Sequence, residues 1–95
     1  PEFVPGLIDV LEAETNDFIR ALPTLVQEGA WAPLRARIHK LIGAGSNLGA
    51  SGGVALLFQL QDAALQEETA EALRLHAAFA AAMDQTLVEM RGLFQ

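Results

Sequence analysis

The chain has 95 residues, the size of one domain, and a chain that short buries only about 60 to 65% of the surface its unfolded form exposes. Hydrophobic residues make up 52% and charged residues 19%, with four prolines and eight glycines, which excludes a disordered or fibrous chain. The absence of cysteine rules out a disulfide frame, thiolate metal sites and a thiol nucleophile, and a net charge of −6 is the wrong sign for a nucleic-acid partner.

The chain opens Pro1-Glu2-Phe3, and Glu-Phe is what an EcoRI cloning site encodes, so residues 1–3 read as a vector-encoded scar and residues 4–95 as a single domain. From Leu7, apolar residues recur at Val10, Leu11, Phe18, Leu22, Leu25 and Val26, the three-and-four spacing of one helix face. Pro23 falls inside that pattern, where it removes a ladder hydrogen bond and predicts a kink or local break. Gly29 ends this first helix.

A second helix opens at Trp31-Ala32-Pro33, since proline in a first turn loses no intrahelical bond. It is expected to run to about Leu48, with Leu34, Ile38, Leu41, Gly45 and Leu48 inward and Gly49 as a left-handed stop. Trp31 reads as a packing residue at its start. Ser51 is expected to cap a third helix from about Gly52 to Gln66, turning Val54, Leu57, Leu60 and Ala64 inward. Glu68, Thr69 and Glu71 suit the start of a fourth by capping and by the helix dipole. Its inner stripe reads Leu73, His76, Ala80, Met83, Leu87, Met90 and Phe94. No segment alternates like a strand, and the longest uncharged stretch, Leu41 to Gln61, holds five glycines, unlike a membrane span. The fold class expected is all-α, an antiparallel up-down-up-down four-helix bundle with no direct membrane contact.

Two glycines are not explained by helix formation, because each costs roughly 1 kcal/mol relative to alanine in a helix interior. Gly45 lies on the inner stripe and reads as room for a neighbouring helix. Gly43 falls on the outer side, one turn after His39, so the imidazole has open space beside it. Ala32, Arg35, Ala36, Ile42, Ser46 and Ala50 share that face, which carries no acid and suits docking by another protein. His39 is therefore either a solvated surface histidine or a nucleophile, since a neutral imidazole leaves one ring nitrogen free. His76, mid-stripe on the fourth helix, reads as a core-edge histidine with a hydrogen-bond partner, or as the lining of a small cavity. No carboxylate or histidine is spaced around either ring as a metal ligand. The glycines follow no strand and no Lys-Ser/Thr pair closes them, so no ATP site is expected.

The run His39-Lys40-Leu41-Ile42-Gly43-Ala44-Gly45-Ser46-Asn47-Leu48-Gly49 resembles the signature of histidine-containing phosphotransfer (HPt) domains, His-x-Leu-Lys-Gly-Ser-Ser-x-x-Leu-Gly. His39, Leu41, Gly43, Leu48 and Gly49 fall in register, and length and helix count agree over residues 4 to 95. The resemblance implies a phosphorelay intermediate. His39 accepts a phosphoryl group from the aspartyl phosphate of one response-regulator receiver domain and passes it to the aspartate of another, while Gly43 gives the receiver access. It implies no cofactor of its own, with Mg²⁺ held only by the partner receiver, and no ATP-dependent kinase activity. It further implies a cytoplasmic, monomeric domain, either free-standing or excised from a hybrid sensor histidine kinase whose other parts reach the membrane.

The family's usual lysine three residues after the histidine is here Ile42, and Ala44 and Gly45 replace two small polar positions. Arg35 and Lys40 are the nearest cations, and with Ile42, Gly43 and Ser46 they form the expected supporting or docking set around His39. Two rival readings keep the same fold. One is a receiver- or kinase-binding module that carries no phosphate. The other is the front domain of a chemotaxis-type kinase, phosphorylated by an ATP-binding domain.

Overall fold

The computed structural model describes residues 3–93, and the side chains of 6–93. Four stretches of helical period become four helices separated by three-residue breaks: α1 (Phe3–Gln27), α2 (Trp31–Asn47), α3 (Ser51–Leu65) and α4 (Thr69–Gly92). There is no strand among the described residues. The molecule is an all-α four-helix bundle in which α1 packs on α2 and α4, and α3 on α2 and α4. Ile19 lies opposite His76, and Asp9 and Glu12 opposite Arg91, so α1 and α4 run antiparallel. Three-residue connections and this ring of neighbours are what an up-down-up-down path produces.

One turn geometry serves all three breaks. Gly29, Gly49 and Glu67 sit at the centres with φ of 66°, 77° and 54°. In each case the following N–H (Ala30, Ala50, Glu68) reaches the carbonyl five residues back (Leu25, Gly45, Ala63) at 2.9 Å. This bond gives the end of a helix a partner for a carbonyl that has lost its own. Glycine adopts the left-handed conformation freely, whereas Glu67 bears a cost of about 1 kcal/mol for its Cβ. Ser51 is the first residue of α3 rather than its cap, the capping positions of α3 and α4 fall on Ala50 and Glu68, and neither start has a side-chain cap bond.

The core side of α1 is Ile8, Leu11, Thr15, Phe18, Leu22 and Val26, with Leu25 half-buried. Leu7 and Val10, expected inward, are about half exposed at 48% and 54%. The buried stripe runs through a threonine, Thr15, which carries no apolar mark in the sequence and so leaves the register of its first turns undefined. In α2, Leu34, Ile38, Leu41 and Gly45 are buried as expected, Trp31 packs in the same core, and Leu48 is half-buried just beyond the helix. α3 buries Leu57, Leu60 and Ala64 together with Gly53 and Ala63, while Val54 is half-buried.

α4 turns Ala72, Leu75, Phe79, Met83, Leu87 and Met90 inward. Leu73 is exposed, and His76 and Ala80 lie half-buried at the edge, so the first half of the expected stripe is rotated by one residue. Alanines on several sides of α4 leave its apolar period poorly defined. The expected Phe94 contact lies outside the described residues. The ring of Phe79 meets Phe18 edge-on at a centroid distance of 5.6 Å, tying α4 to α1.

Two glycines set helix separations. A Cβ on Gly45 would stand 3.0 Å from the Val54 side chain, the close approach of α2 and α3 expected for it. A Cβ on Gly53 would overlap the Met83 sulfur, so the Met83 side chain of α4 packs directly on the α3 backbone and would have to shift to admit a larger residue.

The break expected at Pro23 does not occur, because α1 is helical on both sides of it and through it. Pro23 cannot donate to the carbonyl four residues back, which is Ile19. The Nε2 of His76 donates to that same Ile19 carbonyl at 2.8 Å. The acceptor orphaned by the proline is thus supplied with a donor from α4. A carbonyl only accepts, so the contact fixes the proton on Nε2.

Candidate functional site

α2 presents its polar face outward, and the sequence-expected site residues lie on or beside this face. His39 is exposed, between the buried Ile38 and Leu41 that anchor the helix. Gly43 follows one turn later, and a Cβ built there meets no atom within 4 Å. The space beside the imidazole is therefore open. The second imidazole is in the opposite situation, half-buried and engaged by the Ile19 carbonyl.

At about 100° per residue, Arg35, Ile42 and Ser46 lie on the same side of α2 as His39. That side turns toward α3, since Ser46 shares a groove of about 430 Å³ with Gly49, Ser51, Val54, Ala55 and Phe58. The groove is apolar, and Phe58 on its rim is 53% exposed. Arg35 is half-buried. Ile42 is half-buried too and packs against the core cluster, which makes it a structural contact of α2 as well as a neighbour of His39.

Lys40 does not join this group. It is exposed on the other flank of α2, where it and Arg37 line a groove of about 540 Å³ with Glu14, Asp17 and Arg20 of α1. The expected set thus divides: Arg35, Ile42, Gly43 and Ser46 accompany His39, and Lys40 belongs to a separate, charged groove.

Arg37, Val54 and Phe58 are surface features that motif reading passes over. The signal for Arg37 is nonetheless present in the sequence, because α2 holds Arg35, Arg37, Lys40 and His39 and no acid at all. The other three cations are held by the chain's own carboxylates: Arg20 by Asp17, Arg74 by Glu71, and Arg91 by Asp9 at 2.9 Å and Glu12 at 3.1 Å. The bond from Arg74 holds the Glu71 carboxyl below its ordinary range, and the bond to Asp9 raises Arg91. None of the α2 cations has an ion pair among the described residues.

Among the described residues no group of three or more His, Asp or Glu is placed to hold a metal ion, and no helix is long and apolar enough to cross a membrane. Comparison with protein-family models, with curated proteins and with solved structures returned no match.

Proposed function

We propose that this domain is a histidine phosphotransfer intermediate of a two-component phosphorelay, with His39 as the phosphoacceptor. A free ring nitrogen of His39 attacks the phosphorus of a receiver's aspartyl phosphate. The P–N bond forms as the P–O bond to the aspartate breaks, and the carboxylate leaves with the bonding pair. The reverse attack, by the aspartate of a second receiver, returns the imidazole. Mg²⁺ belongs to the receivers, and this chain supplies a positioned nucleophile on a rigid helix, much of what phosphoryl transfer requires.

The observation that carries the reading is the contrast between the two histidines. His39 stands exposed beside a glycine with empty space above it, whereas the Nε2 of His76 is committed to the Ile19 carbonyl. The apolar groove of Ser46, Val54 and Phe58 next to the His39 side of α2 supplies a surface against which a receiver docks. A cytoplasmic domain, monomeric when isolated and with no nucleotide chemistry of its own, accompanies this function.

Ile42 favours a second reading, a receiver- or kinase-binding module that carries no phosphate. The position from which a lysine would lean back toward the phosphoryl oxygens holds a side chain packed on the core instead.

Incubation with phosphorylated receiver domains separates the two. Phosphotransfer yields acid-labile, base-stable label on wild type and none on His39→Gln, with helical circular dichroism unchanged. Label that survives His39→Gln and vanishes with His76→Gln reassigns the site. Receiver binding without label establishes the interaction module.

A further inference from the structure

All six cations of the chain fall within the described residues, and their distribution is uneven. The three off α2 are neutralised by neighbouring carboxylates, and the three on α2 have no such partner among the described residues. In a chain of net charge −6 with twelve acids available, three such cations on one acid-free helix form a local positive field. Two of them, Arg37 and Lys40, are exposed and line the groove against α1. Glu14 lines the same groove yet reaches neither within ion-pair distance, and Asp17 there is already taken by Arg20.

We infer that the α1 flank of α2, built on Arg37 and Lys40, is a docking surface for the acidic face of a partner protein domain, the same partner that reaches His39. The inference rests on the phosphotransfer reading. A domain that holds Mg²⁺ against an aspartyl phosphate must gather carboxylates around that site, since a hard divalent cation takes oxygen ligands. Such a domain presents negative charge at the edge that approaches His39. It straddles α2, with apolar contact on the α3 flank at Phe58 and charge contact on the α1 flank at Arg37 and Lys40. Contacts of this kind act chiefly on encounter rate and orientation, and they weaken with salt. The division supplies positive charge to the encounter where Ile42 supplies none beside the histidine. Acids spread over the other three helices, Glu14 and Asp17 among them, make the surface as a whole unsuitable for a phosphate backbone.

The test has three arms. Wild-type protein is first treated with phosphoramidate, a small donor that needs no docking surface, to ask whether His39 is a nucleophile. Transfer from receiver domains charged with acetyl phosphate is then timed at limiting concentrations for wild type, Arg37→Glu and Arg74→Glu. The last two change net charge equally, but Arg74 lies on α4 and is paired with Glu71. Arg37→Glu is expected to slow transfer about three- to tenfold at roughly 25 mM salt, with the gap closing toward about 300 mM. Arg74→Glu is expected to leave transfer at the wild-type rate. Equal slowing by both variants, or none by Arg37→Glu, overturns the docking surface. Phosphoramidate labelling without transfer from any receiver overturns it too, leaving the nucleophile intact, whereas failure of both label and transfer removes the phosphotransfer reading with it. Finally, a fluorescent DNA or RNA oligonucleotide that binds wild type at about 150 mM salt and is released by Arg37→Glu would give the face to nucleic acid and overturn the proposal.

Discussion

At the scale of single residues, Gly43 and Ile42 bear opposite relations to His39. Gly43 has nothing near the position of its missing side chain, so the fold makes no demand for glycine there. Gly43→Ala is expected to raise stability by up to about 1 kcal/mol, the helix-propensity difference. Gly43→Leu is expected to raise the melting temperature nearly as much and to lose phosphotransfer, because the added side chain stands in the open space beside His39 through which the proposed receiver would come. Thermal melts and transfer rates on the two variants check this; undiminished transfer by Gly43→Leu places the receiver's approach elsewhere. Ile42, by contrast, packs on the core while flanking the site. Ile42→Lys buries its stem but not its charge, so it is expected to lower stability by about 1 kcal/mol. The same substitution is expected to raise the equilibrium share of phosphate on the domain a few fold at low salt, an exposed charge contact being worth about 0.2 to 1 kcal/mol. Weaker receiver binding with unchanged partition would identify Ile42 as a contact residue only.

At the scale of elements, Pro23 and His76 behave as one unit across the α1–α4 seam. Removing the imidazole leaves the Ile19 carbonyl without a donor from either helix, and because the contact is only part-buried the loss is about 0.5 to 1.5 kcal/mol, the net worth of an ordinary hydrogen bond. His76→Phe is therefore expected to be destabilising, and much less so in a Pro23→Ala background, where the N–H restored at that position can reach the Ile19 carbonyl within the helix. A double-mutant cycle by denaturant unfolding measures the coupling, and additive effects would show that the contact contributes nothing. Each half of this pair is legible in the sequence: Pro23 as a disturbance, His76 as a core-edge histidine with a partner. Their connection is not, because nothing local in residues 19–23 points to residue 76. The same limit explains the other differences. Gly29, Gly49 and Pro33 mark helix boundaries by backbone chemistry and are readable, whereas the turn at Glu67 uses a residue type that gives no such mark. Thr15 hides the register of α1, and the alanines hide that of α4. The motif around His39 locates the exposed imidazole and its glycine, but it groups Lys40 with them because neighbours in sequence lie on different flanks of a helix.

At the scale of the whole molecule, four helices within a body 41 × 19 × 18 Å share a core reaching from Ile8 and Met90 at one end to Trp31 at the other. Among the described residues, only the α2 surface combines cations outside any ion pair, an exposed imidazole and an adjoining apolar groove. Acid-free α2 is visible in the sequence as a charge asymmetry. The pairing of the remaining cations requires the fold, since Arg91 finds Asp9 and Glu12 only across the bundle. The contact of Gly53 with Met83 carries a further consequence. The Met83 side chain lies against α3 at Gly53 and is only 3% exposed, so an oxidant is expected to reach its sulfur mainly when α3 and α4 part. A sulfoxide oxygen formed there makes the side chain larger and polar, so peroxide treatment is expected to lower the stability of the bundle. The rate at which peroxide consumes Met83 is therefore expected to count how often the seam opens, a chemical clock inside the fold.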